Sequence, residues 1–171
     1  MTRGIFVTAT GTDVGKTYIS ALILKRMKET GLNCGYYKPA MSGIEDGKLS
    51  DVEYVFKIAK LDGNPMDYVS YPFKEALSPH LASKRVGISI ELSKIKTDFS
   101  KIKQDYDYIL VEGAGGIICP FNMEHELLLP DVIKALELDI IIVADAKLGT
   151  INSTVLTVEY AKQQGINITG I

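Results

Sequence analysis

Short apolar runs alternate along this chain with segments of helical spacing, and that alternation restricts the fold more than any other feature. Residues 5–7 (Ile5-Phe6-Val7), 108–111 (Tyr108-Ile109-Leu110-Val111) and 140–143 (Ile140-Ile141-Ile142-Val143) are β-rich and apolar at nearly every position. A strand that is apolar at both parities buries both faces. Between these runs lie segments whose apolar residues recur three and four apart, such as Ile19, Leu22, Ile23 and Met27 before Gly31. Helices are also expected at 51–61, 78–84, 90–103, 131–138 and 150–164, and further strands at 34–37, 68–73 and 166–171. Doubly buried strands separated by helices imply an α/β fold, a mostly parallel central sheet with helices on both faces. Lys38-Pro39 is expected to stop the second strand and open a loop containing Ser42, Gly43 and Gly47. Ser50 is placed to cap the next helix, with Glu53 in the capping-box position.

The 171 residues fit one domain. With 46% hydrophobic and 23% charged residues the composition is that of a globular protein. A formal net charge of -2 gives no basic excess for nucleic acid or an anionic membrane surface. No apolar run approaches the roughly 20 residues that span a bilayer, and the N-terminus lacks the pattern of a secretory signal. Cys34 and Cys119 fall in no metal or redox spacing, so a reduced, cytoplasmic setting is expected. His80 and His125 stand alone and read as structural or surface residues.

The first strand runs into Thr8-Ala9-Thr10-Gly11-Thr12-Asp13-Val14-Gly15-Lys16-Thr17, and a helix follows. A Gly-Lys-Thr turn between a strand and a helix is the context of a phosphate loop. Its backbone N–H groups point inward, and the helix N-terminus adds partial positive charge. Gly11 and Gly15 are expected to supply unusual dihedrals and close approach to phosphate. Lys16 is suited to β- and γ-phosphate charge, and the Thr17 hydroxyl to a Mg²⁺ shell. The strict pattern wants glycine five residues before Gly15, where this chain has Thr10, so the loop is a variant.

Magnesium on a triphosphate takes hard oxygen ligands. Glu112 ends the strand at 108–111 and precedes Gly113-Ala114-Gly115-Gly116. Ligands of open α/β sheets gather at the carboxyl ends of strands, which places Glu112 at the same edge as the phosphate loop. Asp51 opens a helix after a polar loop; it suits a metal ligand or a first-turn acid favoured by the helix dipole. Lys38 ends the second strand at the same edge, where a cation can stabilise charge on a transferring phosphoryl group.

Taken together, in order and across nearly the whole chain, these segments resemble the dethiobiotin synthetase family. The resemblance rests on Phe6-Val7-Thr8 through Gly15-Lys16-Thr17, then Gly35-Tyr36-Tyr37-Lys38-Pro39 with Ser42-Gly43, then Ser50-Asp51. It continues through Leu77-Ser78-Pro79-His80, Val111-Glu112-Gly113-Ala114-Gly115-Gly116 and Lys147-Leu148-Gly149-Thr150-Ile151-Asn152. It implies ATP- and Mg²⁺-dependent carboxylation of 7,8-diaminononanoate by CO₂ (or bicarbonate) and ring closure through a carbamic–phosphoric anhydride. It implies Lys16, Lys38 and Thr12 as catalytic residues. ATP would meet Asp13, Val14, Gly15, Lys16, Thr17, Tyr18, Asp51, Glu112, Gly113, Ala114 and Gly115. Thr17, Asp51 and Glu112 would hold the metal. Ser42 would meet the carbamate end of the substrate. Leu148, Gly149 and Asn152 match a segment that holds the substrate carboxylate near a helix N-terminus across a homodimer interface.

The chain stops at Gly170-Ile171, inside an expected strand. Against the family this implies a missing C-terminal part with the base-recognition loop, and lower stability than a longer relative. Two other classes compete. A ParA–MinD-type dimerising ATPase switch carries a second lysine five residues before the loop lysine, where Gly11 stands here. An amidotransferase-linked cobyrinate synthetase needs a glutaminase domain that 171 residues do not accommodate. A nucleotide-binding paralogue without turnover is the third reading.

Overall fold

A strand apolar on both faces needs a layer on each side, and the computed structural model shows both layers. It describes residues 3–45, 50–124 and 126–171, so Gly47 and His125 lie outside the described residues. Six parallel strands form the main sheet, in the order β3-β2-β4-β1-β7-β8. They are β1 (Arg3–Ala9), β2 (Cys34–Met41), β3 (Val69–Pro72), β4 (Tyr108–Glu112), β7 (Asp139–Val143) and β8 (Ile168–Gly170). Helices α1 (Lys16–Glu29) and α2 (Asp51–Ala59) cover one face, where Ala21, Leu24, Val52, Val55 and Phe56 pack on Val7, Tyr36 and Leu110. Helices α3 (Pro79–Val86), α4 (Leu92–Ile102), α5 (Leu129–Ala135) and α6 (Thr150–Gln163) contribute to the other face. There Ala82, Ile95, Phe99, Ile133 and Ala161 cluster with Phe6, Ile109, Val111 and Ile140. Alternate residues of β1 and β4 thus enter different cores, as the period-2 geometry of a strand requires.

Pairing sets what meets at the carboxyl edge. β1 lies between β4 and β7, with Val7 opposite Glu112 and Ala9 opposite Val143. The phosphate loop therefore leaves the sheet beside Glu112.

The second strand departs from the sequence expectation. It does not stop at Lys38-Pro39 but runs on to Met41. Pairing with β4 ends at Tyr37 opposite Val111, while Lys38 and Ala40 pair with β3. Pro39, between those two, turns the side that lacks an N–H away from β3 and toward β4, with which pairing has already ended, so the ring costs no hydrogen bond. A two-stranded antiparallel ribbon, β5 (Pro120–Asn122) with β6 (Leu127–Leu128), was not expected; strands this short carry no readable alternation. The remaining elements fall within a few residues of expectation, and Glu53 accepts from both the Ser50 N–H (2.8 Å) and its hydroxyl (2.6 Å) at the start of α2.

Candidate active site

The phosphate loop is built by one strand end and one helix start. The Thr10 N–H donates to the Val143 carbonyl (3.0 Å), which ties the loop to the neighbouring strand end. Gly15 adopts φ 99° as the residue before α1, a conformation that penalises any Cβ. Gly11 is not in the left-handed region, contrary to the dihedral role expected of it; Asp13, at φ 58°, is. Close approach falls on Gly116 instead, where a Cβ would stand 3.4 Å from the Gly11 backbone. The Lys16 ammonium curls over the loop and donates to the Gly11 carbonyl at 3.2 Å.

Four side chains converge beside this loop. Glu112 is fully buried, and its Oε1 accepts from the Thr17 hydroxyl at 2.8 Å and from the Lys38 ammonium at 2.5 Å. Lys38, 2% exposed, also pairs with Asp51 at 2.8 Å. The Thr17 hydroxyl lies within hydrogen-bonding reach of Asp51 as well. Burial alone favours the neutral Lys38 amine, but Glu112 and Asp51 outweigh it and hold the ammonium above its ordinary value. Burial likewise works against the Asp51 carboxylate, and Lys38 with Thr17 more than offsets it, so Asp51 lies below its usual range. Lys16 is lowered, first by burial and then by repulsion from Lys38. Burial raises the Cys119 thiol to about 11.

Residues 36 and 38 lie on one face of β2, and residues 110 and 112 on the matching face of β4. Tyr36 stands opposite Leu110, so Lys38 falls across from Glu112 and Tyr36 lies diagonal to it. The Tyr36 hydroxyl donates to Glu112 Oε2 at 3.0 Å. Burial, with Glu112 beside it, pushes that phenol well above its usual range, so it is a donor at neutral pH. Tyr36 was not among the expected site residues; its position two before Lys38 on one strand face was the available signal.

These groups open into a cleft of about 1110 Å³ at the carboxyl edge of the sheet. Thr12, Asp13, Gly15, Lys16, Thr17, Tyr18, Lys38, Ser42, Asp51, Glu112, Gly113, Ala114 and Gly115 line it. Ser78, Cys119 and Thr157 line it too and were not expected to. Val14 packs instead against the core under α1. Leu148, Gly149 and Asn152 lie outside the cleft, at the start of α6, and Leu148 is fully exposed. His80 is a local partner of Ser78, at 3.0 Å. Among the described residues no group of three or more His, Cys, Asp and Glu forms a metal cage. The Thr17 hydroxyl with the Asp51 and Glu112 carboxylates is a different kind of donor set, hard oxygens brought together from the starts of α1 and α2 and the end of β4, and its chemistry fits Mg²⁺. Two lysines beside such a set can neutralise a polyphosphate and a second anion together.

A parallel sheet with this loop and cleft defines a phosphate-loop nucleotide-binding protein, and residues 3–171 match the family described as an AAA domain. Solved structures agree at the level of fold. The chain is similar to a chain of the MinC:MinD cell division protein complex of Aquifex aeolicus (TM-score 0.58, 18% identity, 98% of this chain and 67% of that one). It is also similar to a ParA family ATPase from Chlorobium tepidum TLS (TM-score 0.56, 16% identity, 99% of this chain and 71% of that one). Among curated proteins it is 56% identical to the ATP-dependent dethiobiotin synthetase BioD of Clostridium botulinum strain Langeland, over 98% of this chain and 76% of the relative. The synthetase of strain Eklund 17B is 48% identical, over 100% of this chain and 78% of the relative. The chain belongs to the dethiobiotin synthetase family, a family of ATP-dependent ligases.

Proposed function

We propose that this chain is an ATP- and Mg²⁺-dependent dethiobiotin synthase of biotin biosynthesis, working in the cytoplasm as a homodimer. The observation that carries the reading is the convergence of Lys16 and Lys38 with Thr17, Asp51 and Glu112 on one cleft. Membership of the dethiobiotin synthetase family supports the choice of substrate.

One amine of 7,8-diaminononanoate takes up CO₂ and releases a proton to give a carbamate. A carbamate oxygen attacks the γ-phosphorus of ATP and ADP leaves, giving a carbamic–phosphoric anhydride. The second amine attacks the carbonyl carbon, phosphate leaves with the bond it held, and a proton is lost as the cyclic urea closes. The first transfer brings two anions together, so it needs cations that do not move away. In this reading Lys16 faces the β- and γ-phosphates, supported by Asp13, Val14, Gly15 and Tyr18 around the loop and by residues 113–115. Lys38, with Ser42 and Thr12, faces the carbamate. Thr17, Asp51 and Glu112 would hold Mg²⁺, which when bound supplies charge neutralisation on the phosphates.

The substrate carboxylate would meet Leu148, Gly149 and Asn152 of the second subunit. Exposed Leu148, Ile151, Val155 and Leu156 on and before α6 support a subunit contact there. The switch-ATPase reading has fold similarity behind it and Gly11 against it.

The test measures ADP release from ATP, Mg²⁺ and bicarbonate with and without 7,8-diaminononanoate, and detects the urea by mass spectrometry. Diamine-dependent release with the cyclic urea formed is expected. Release indifferent to the diamine, with no urea, would overturn the proposal. Lys16→Ala is expected to abolish triphosphate binding, and Lys38→Ala to cut turnover far more than nucleotide affinity.

A further inference from the structure

We infer that Tyr36 is a positioning residue for the metal-facing carboxylate, fixing the plane of Glu112 so that one oxygen is held for the metal and nucleotide side of the cleft. The inference rests on the proposed role of Glu112 as a metal ligand.

Glu112 has no solvent exposure, so water cannot satisfy its second oxygen. Its two oxygens are used differently. Oε1 takes the cleft-side donors, the Thr17 hydroxyl and the Lys38 ammonium. Oε2 takes the Tyr36 hydroxyl. A carboxylate gripped at one oxygen only can turn about its terminal torsion, which is broad and weakly restrained. The grip from Tyr36 removes that freedom. Tyr36 is itself immobile: fully buried, on a strand paired to β4, with its ring edge-on to Phe56 at 6.5 Å between centroids. The hydroxyl is therefore delivered by the sheet, two residues from Lys38 and on the same face. A partner that orients a metal ligand in this way changes metal affinity without touching the metal.

A merely structural hydroxyl would predict something else. Its loss would lower the unfolding midpoint and leave metal binding alone. Tyr36→Phe separates the two, because it keeps the ring and removes one oxygen. Mn²⁺ serves as the probe, its free concentration read by electron paramagnetic resonance in the presence of ATP and compared with matched protein-free titrations, which give the Mn²⁺ held by ATP itself. ATP affinity is measured separately in EDTA, and thermal unfolding is followed in the same preparations. The expected result is roughly tenfold weaker Mn²⁺ binding with ATP present, with ATP affinity in EDTA unchanged. Unchanged Mn²⁺ affinity in Tyr36→Phe would overturn the inference, and so would a wild-type chain that takes up no Mn²⁺ with ATP.

A double-mutant cycle with Glu112→Gln gives the second reading. If Tyr36 acts through Glu112, Tyr36→Phe causes no further loss of Mn²⁺ affinity in the Glu112→Gln background. Full additivity would overturn the inference. These outcomes are independent of the diamine assay: a protein that binds Mn²⁺ with ATP and never turns over the diamine refutes the proposed reaction while leaving the Tyr36 result readable.

Discussion

At the residue scale, the buried Lys38–Glu112 pair carries a measurable share of stability. Both groups are almost wholly withdrawn from water, with side-chain exposures of 3% and 0%. Removing one partner of such a pair strands the other, at a cost of roughly 3–5 kcal/mol. Lys38→Met is therefore expected to lower the unfolding free energy by about that much in urea titrations, and the double variant with Glu112→Gln to recover part of it. Asp98 gives a pH signature of its own. Its burial works against the carboxylate, but Lys94 (2.5 Å) and the Ser70 hydroxyl (2.7 Å) more than offset this and lower its pKa. A depressed folded-state pKa means stabilisation that is present above the ordinary carboxylate range and lost as pH falls through and below it. Asp98→Asn should accordingly lower the urea midpoint at every pH above the ordinary carboxylate range and leave it little changed at the acid end, so that the acid slope of the plot is flattened.

At the element scale, α2 is where helix capping and the candidate site meet. The Ser50 N–H and hydroxyl both bond to Glu53, which fixes the first turn of the helix. The first residue of that turn is Asp51, which reaches Lys38. Glu53→Ala is expected to destabilise by about 1 kcal/mol and also to weaken Mg²⁺-dependent nucleotide binding, checked by thermal unfolding and by titration with and without the metal. A second example is the segment after β4. A Cβ on Gly113 would stand 2.9 Å from the Phe6 ring and 3.2 Å from Leu129, so the chain can pass between β1 and α5 only as glycine.

At the scale of the whole molecule, the exposed apolar residues are not scattered evenly. Leu148, Ile151, Val155 and Leu156 are all more than half exposed and fall along a single helix and its approach. That pattern fits the subunit contact proposed above. Sedimentation at micromolar concentration is expected to give a dimer, and Ile151→Asp to shift it toward monomer. A monomeric wild-type protein across that range would remove the homodimer from the proposed function. Among the described residues no helix is long and apolar enough to cross a membrane.

The sequence by itself determined the sheet class, the strand–loop–helix that holds Lys16 and Thr17, and the sheet edge on which Lys38 and Glu112 stand. Those features are local: hydrophobic period, glycine placement and strand ends are written in consecutive residues. Only the tertiary structure decided what crosses between segments. Strand order puts β4 between β1 and β2, and register sets Tyr36 opposite Leu110. Those two facts bring Tyr36 to Glu112; the change of β2's partner from β4 to β3 carries it through Pro39, and the placement of the segment after β7 leaves Leu148, Gly149 and Asn152 outside the cleft. Pairing partners are chosen by the burial of the whole core, a sum over residues far apart in the chain, so no local window contains them.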